Sequence, residues 1–288
     1  MIQSYVVAEP KRPQSRLHVL QATNAVFFLL TVAFNYLSQA MPLHGKTTGE
    51  LSDQYPNLFT PAPITFSIWG LIYLALLAFV IWQAWPIRNA QRAEQRNVSV
   101  SRLGWDFAGL CGLNMAWLFC WHYEFVSASV VVMLITLWLL LRMNSLIFRD
   151  LAHTTDNRNF LQIPFGLYLG WISVATVANI TAWLVSRQWP GFGLSEPLWT
   201  EIMMTVAILL TIVVLFRWHN IPYSLSVIWA LFGIALKHQH LFGLPLSSVN
   251  LTAYTGILLL LLVAGTRLRR WWNGALFGNV HTPLPTVY

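Results

Sequence analysis

Eight long apolar segments constrain this chain more than any other feature of its sequence. They lie near residues 17–38, 62–85, 104–121, 125–147, 161–185, 198–216, 221–237 and 249–266. A helix that crosses a bilayer needs about 20 predominantly apolar residues, and each segment reaches or approaches that length. The chain is 56% hydrophobic and only 9% charged, whereas a soluble domain carries about 25% charged residues. The sequence therefore predicts an all-α polytopic membrane protein with about eight transmembrane helices.

The distribution of basic residues supports this count and predicts the orientation of the chain. If the N-terminus is cytoplasmic, only Lys46, Arg187 and Lys237 of the 17 lysines and arginines fall on the opposite side, which leaves fourteen on the cytoplasmic side. Cytoplasmic loops of membrane proteins carry this excess of basic residues. We therefore expect both termini in the cytoplasm and the protein in the bacterial plasma membrane.

The first segment leaves an alternative open. A basic leader, an apolar run and the sequence Ser38-Gln39-Ala40 together resemble a secretory signal. The apolar run is long and the polar leader before it is unusual for such a signal, so a first transmembrane helix is preferred. The polar, basic segment 88–102 is interpreted as a solvated face near anionic lipid headgroups.

Three segments place aromatic, amide or small side chains on a single helical face. Trp171 begins a stripe of residues spaced four apart, and a step of four advances a helix only about 40° beyond a full turn. Polar groups inside a bilayer need partners, so these faces are expected to point at one another. The residues on the three faces are Trp69, Tyr73, Asn114, Trp117, Trp171, Ala175, Asn179 and Trp183.

These faces carry three recognisable motifs. The second segment reads WGLIY from residue 69, the third reads LNMAW from residue 113, and the fifth reads WISVATVANITAW from residue 171. In this order they resemble the tryptophan-rich sensory protein/translocator protein family (TspO/MBR). The resemblance covers about residues 17–186. It implies a five-helix bundle that binds porphyrins and other flat hydrophobic molecules, with the eight residues named above lining the pocket.

The chain also departs from the family pattern. PITFSI (63–68) stands where the family usually has a tryptophan and a Gly-Pro pair, and Leu167 stands where it tends to have a proline. Three more helices follow the fifth. The expected organisation is a cytoplasmic segment 1–16, a five-helix core 17–186, a three-helix extension 187–270 and a cytoplasmic tail 271–288.

The resemblance implies a protein that binds a planar hydrophobic ligand for sensing, sequestration or translocation, with a porphyrin or haem-like tetrapyrrole as the expected cofactor. The residues agree, because indole rings can stack on a flat ligand while a few amides orient it. A secondary transporter and a non-catalytic scaffold subunit of a larger membrane complex stay open as alternatives. An alternative role for the amides of Asn114 and Asn179 is hydrogen bonding between helices. The expected partners are the hydrophobic small molecule and the lipid bilayer, without nucleic acid; a homo-oligomer or a membrane-complex partner stays open.

Neither a catalytic nor a metal site is predicted. The chain lacks a Walker loop, H-E-x-x-H and G-x-S-x-G, so a binding protein is preferred to an enzyme. Asp106 is expected to pair with Arg102, one turn earlier. The segment KHQH from residue 237 is expected to extend towards the membrane interface rather than to hold a metal. The long loop 39–65 is expected to act as a lid.

Overall fold

The structure, a computed structural model, describes residues 14–41, 43–149, 155–242 and 247–276. These residues form α-helices joined by short connections, with 3-10 turns at Leu43–Gly45, Pro63–Ser67 and Gly191–Gly193. The helices are α1 (Gln14–Ala40), α2 (Thr48–Asp53), α3 (Ile68–Ala84), α4 (Ala90–Leu103), α5 (Asp106–His122), α6 (Val126–Arg149), α7 (Thr155–Ser186), α8 (Glu196–Arg217), α9 (Ile221–Phe242) and α10 (Ser248–Leu276).

Seven helices within the described ranges are long and apolar enough to cross a membrane, which confirms an all-α polytopic membrane protein. They are α1, α3 with the turn before it, α6, α7, α8, α9 and α10. Helix α5 has only 17 residues, but it runs the full depth of the bundle beside α1. Trp105, just before α5, shares a surface pocket with Leu17 and Leu20 near the start of α1. Trp121, near the end of α5, donates to the carbonyl of Thr48, beyond the end of α1, over 3.2 Å. An eighth crossing by α5 stays a prediction.

Helix α7 is the central helix of the bundle. In the most apolar 18-residue stretch of α7, 72% of the residues are buried, against 28% in the corresponding stretches of α3 and α8. Because protein rather than lipid surrounds α7, it can carry more polar side chains than its neighbours. It also continues through Pro164 without a break. The carbonyl of Phe165, next to this proline, accepts a hydrogen bond from Asn144 of α6 over 3.1 Å.

Two glycines bring α9 into close contact with α7. A Cβ atom on Gly166 would clash with the Asn220 side chain, and one on Gly170 would clash with the carbonyl of Tyr223. The Asn220 amide also donates to the Asn144 side chain over 3.0 Å, which connects α6 to the start of α9. The C-terminal helices therefore pack tightly on the preceding ones. The division into a five-helix core and an extension stays a prediction.

The segment 88–102 is not simply a solvated face, because most of it forms helix α4. Asn89 caps this helix by accepting a hydrogen bond from the backbone N–H of Arg92 over 3.0 Å. Val100 is buried with Leu17 and Leu20 of α1. The low overall hydropathy of the segment hid this amphipathic pattern, in which a narrow apolar face packs on the bundle.

One expectation about charged residues needs correction. Asp106 pairs with Arg142 of α6 rather than with Arg102. The extension of Lys237 towards the interface stays a prediction; its ammonium lies 3.4 Å from the carboxylate of Asp53 in the 43–65 segment. A ring nitrogen of His238 lies 3.2 Å from the carbonyl of Leu58. The His240 side chain is outside the described part of the structure. Among described residues, His, Cys, Asp and Glu side chains form no group of three that is placed to hold a metal ion.

Candidate ligand-binding site

A mainly apolar cavity with five aromatic lining residues, which we call the aromatic cavity, lies between α3, α5, α6 and α7. It lies beneath residues 43–65, which we call the 43–65 loop. Only about 50 Å³ of it is accessible to the centre of a water molecule, so the cavity is narrow in this conformation. The residues that line it are Thr48, Ser52, Thr60, Pro61, Phe66, Trp69, Trp117, Trp121, Met133, Trp171, Val174, Ala175, Ala178 and Asn179.

Trp171 is the most deeply placed indole of this cavity and is only 3% exposed. Its ring meets Phe66 edge to face at 5.8 Å between centroids and Trp69 at 6.4 Å. A buried indole N–H usually finds an acceptor. The N–H of Trp171 has no such acceptor among the residues that the structure describes. Trp171 therefore keeps an unpaired hydrogen-bond donor, which the surrounding protein atoms bury in this conformation.

Trp117 and Asn179 hold the opposite part of the cavity in place. The Trp117 indole donates to the Asn179 carbonyl oxygen over 2.9 Å, and the Asn179 amide donates to the hydroxyl of Ser129 over 2.9 Å. These two bonds connect α5, α6 and α7. Trp117 also stacks on Trp121, with ring centroids 5.8 Å apart and planes 13° apart. The aromatic surfaces are thus fixed in orientation before any ligand arrives.

The 43–65 loop covers the cavity with ordered structure. Its helix α2 begins with a capping box, in which Thr47 and Glu50 exchange backbone and side-chain hydrogen bonds. Hydrogen bonds from the backbone and hydroxyl of Thr47 lower the pKa of the Glu50 carboxyl. The Trp121 indole donates to the carbonyl of Thr48, which ties the start of α2 to the cavity wall.

Helix α9 holds the far end of the same loop. Trp229 donates from its indole to the carbonyl of Thr65 over 2.8 Å, and the backbone N–H of Ala62 donates to the carbonyl of Gly233 over 3.0 Å. A Cβ atom at Gly233 would clash with the hydroxyl of Thr65 and lie 2.9 Å from Pro61. Glycine is therefore required for the loop to approach α9 this closely.

Five of the eight predicted site residues line the cavity: Trp69, Trp117, Trp171, Ala175 and Asn179. The structure places the other three elsewhere. Tyr73 stacks on Trp69, with ring centroids 5.5 Å apart, and supports it from behind. Trp183 lies towards the end of α7 and donates to the hydroxyl of Ser127 over 3.0 Å.

Asn114 belongs to a polar chain across three helices rather than to the cavity lining. Asn35 of α1 donates to the Asn114 carbonyl oxygen over 2.7 Å, and the Asn114 amide lies 3.1 Å from the hydroxyl oxygen of Tyr168 on α7. Both predicted asparagines thus hydrogen-bond between helices. Asn179 does so while also lining the cavity.

Several lining residues were not predicted from the sequence. Trp121 follows Trp117 by four residues, so the helical spacing applied to the other tryptophans would have identified it. Phe66 lies in the turn before α3, where helical spacing does not apply. The 43–65 loop contributes four residues, from Thr48 to Pro61, and a long loop does not indicate which of its residues face inward.

An apolar helical bundle with an aromatic cavity between its helices defines the chain as a polytopic α-helical membrane protein with a pocket in its bundle. Comparison with known protein families matches residues 21–266 to the family described as TSPO-like protein. The chain belongs to this family, and it is a membrane protein of the TspO type. The match extends through α8 and α9 and into α10, beyond α7, the last of the three helices on which the motifs lie. Neither the comparison with curated proteins nor that with solved structures gives a match.

Proposed function

We propose that this protein binds a planar hydrophobic ligand of the tetrapyrrole class in the aromatic cavity, for sensing, sequestration or translocation. The observation that carries the proposal is the buried Trp171 indole, which lines the cavity and whose N–H has no partner among the described residues. An unsatisfied buried donor costs about 1–3 kcal/mol. A ligand whose acceptor atom reached this N–H as the cavity opened would remove this cost and at the same time cover the aromatic walls.

The tetrapyrrole assignment combines the family with the chemistry of the walls. Trp69, Trp117 and Trp171 offer ring surfaces, and the Asn179 amide offers a polar group that can orient a ligand. The described cavity is too narrow for a large ring system. The 43–65 loop forms its cover, so this loop would move outward to admit the ring and then close against it.

The proposal also includes the orientation of the protein and the membrane in which it lies. We place both termini in the cytoplasm of a bacterium and the 43–65 loop on the opposite side of the plasma membrane. Lys46 and Lys237 lie on the loop side, where they pair with Glu124 and Asp53. The transporter alternative would be favoured by a site formed from broken helices. The central helix α7 is unbroken, and the cavity lies beside continuous helices.

A spectral titration of the purified protein with protoporphyrin and with haem tests the proposal. We expect a saturable shift of the ligand's absorption band and quenching of tryptophan fluorescence. Trp171→Ala should weaken binding by about 1–3 kcal/mol because a stacking surface is lost. Trp138→Ala is the matched control, since Trp138 of α6 is 61% exposed on the outside of the bundle. Equal affinity in all three proteins would contradict the proposed site.

A further inference from the structure

A second, larger opening lies on the other side of α7. It is a groove bounded by the C-terminal half of α7, the start of α8 and residues 56–59 of the 43–65 loop. About 490 Å³ of the groove is accessible to the centre of a water molecule, far more than in the aromatic cavity. Phe59 lines the groove while the next residue, Thr60, lines the cavity, so the two spaces share a thin wall.

The lining of the groove is apolar, and its polar side chains are largely engaged already. Trp199 donates to the carbonyl of Gly191 over 2.6 Å, and the hydroxyl of Thr181 donates to the carbonyl of Val177 over 2.9 Å. Asn57 is also engaged, because its side-chain oxygen accepts bonds from the backbone of the loop. Most of the other residues that line the groove are apolar, from Leu58 of the loop to Leu184 of α7 and Met203 of α8. An aliphatic chain needs no hydrogen-bonding partner.

The groove lies where a membrane lipid reaches it. Both α7 and α8 qualify as membrane-spanning helices, and the groove follows their ends on the side of the 43–65 loop. Trp189, Phe192 and Trp199 form an aromatic cluster there, with centroids 5.1–6.3 Å apart. Tryptophan is enriched at the boundary between hydrocarbon and headgroups. Glu196 also lines the groove and is exposed, which places a carboxylate at the level where headgroups lie.

We infer that this groove is a binding site for an acyl chain of a phospholipid in the leaflet on the loop side. The chain lies along the apolar face of α7, against Val177, Ile180 and Leu184. The Glu196 carboxylate favours a headgroup that carries an ammonium, such as that of a phosphatidylethanolamine. This inference does not depend on the ligand of the aromatic cavity, because different faces of α7 form the two spaces.

Photolabelling of the full-length protein in lipid vesicles tests this inference. The vesicles contain phosphatidylethanolamine and phosphatidylglycerol, with a small fraction of a phosphatidylethanolamine that carries a diazirine on its acyl chain. After irradiation, mass spectrometry compares labelling of the α7 and α8 residues of the groove with labelling of the exposed face of α10. We expect at least threefold more label in the groove. Thr181→Trp and Met203→Trp, which fill the groove from opposite walls, should each remove most of this excess.

Leu258→Trp is the control, since Leu258 of α10 is 61% exposed and lies outside the groove. It should leave groove labelling unchanged. Two filling variants are used so that misfolding of one does not decide the result, and size-exclusion chromatography identifies variants that keep the native form. Labelling no higher than on α10 would show only general lipid contact and would overturn the inference. Loss of groove label on addition of protoporphyrin would also overturn it, because the groove would then bind the ring.

Discussion

The indole N–H of Trp229 donates to the backbone carbonyl of Thr65 over 2.8 Å, although 164 residues separate the two in the sequence. Trp229 lies on α9, and Thr65 lies in the turn that leads the 43–65 loop into α3. One of the helices that follow the five-helix region therefore holds the cover of the aromatic cavity. This contact gives α9 a physical role in the site, since it fixes the end of the cover that leads into α3.

Gly233→Ala should loosen the cover of the cavity. The added methyl would clash with the Thr65 hydroxyl, so the loop must move away from α9. We expect faster proteolysis near Lys46 and weaker porphyrin binding. Gly265→Ala of α10 is the control, because a Cβ there meets no atom within 4 Å. The double variant Gly233→Ala, Thr65→Ala should recover much of the protection. Unchanged cleavage in the single variant would mean that α9 does not hold the loop.

Trp117→Phe should destabilise the protein while keeping an aromatic ring in the wall. The substitution removes the donor to Asn179 and leaves a buried amide oxygen without its partner. Such a loss costs about 1–3 kcal/mol. Thermal unfolding in detergent measures it, with Trp138→Phe on the exposed face of α6 as the reference. If both variants unfold at the same temperature, the bond between α5 and α7 contributes little to stability.

The 43–65 loop should become harder to cleave when a ligand binds. The loop supplies Thr48, Ser52, Thr60 and Pro61 to the cavity, so a bound ring would contact it directly. Limited proteolysis near Lys46 should show protection that rises with protoporphyrin concentration and disappears in Trp69→Ala. Equal cleavage at saturating ligand would mean that the ligand reaches the site between helices without using the loop.

Both termini should give a cytoplasmic signal in reporter fusions at residues 2 and 288. The prediction follows from the fourteen basic residues expected on that side and from an even number of crossings. A signal from only one terminus would mean an odd number of crossings, and α5, with 17 residues, would be the first helix to reconsider.

The sequence predicted the membrane helices and much of the cavity because both depend on local patterns. Apolar length identifies a spanning segment, and a spacing of four residues places Trp171, Ala175 and Asn179 on one face of α7. Tyr73 shares a helical face with Trp69 but lies behind its ring, away from the cavity. Asn114 shares a face with Trp117 but hydrogen-bonds to Asn35 of α1 instead of lining the cavity. The spacing of residues along one helix predicts the direction in which their side chains point. It does not predict how closely the neighbouring helices approach, which decides whether a side chain reaches the cavity.

The remaining parts of the site depend on contacts between distant segments. Gly233 and Trp229 contact the loop only because α9 packs against the turn before α3, and their sequence surroundings contain no motif for this. Helix α4 was missed because its apolar face is narrow within a basic segment. Asp106 pairs with Arg142 through tertiary packing, whereas the local rule pointed to Arg102.

The central claim is that the unpartnered N–H and the ring of Trp171 both serve a bound planar ligand. The most direct test is the Kd for protoporphyrin of the wild-type protein, Trp171→Phe and Trp171→Ala under identical conditions. Phenylalanine keeps a stacking surface and removes the donor, so a loss of about 0.5–1.5 kcal/mol is expected. Alanine removes both, and its loss should be larger. A graded weakening from wild type to Phe to Ala is the predicted result, whereas three equal Kd values would contradict the account.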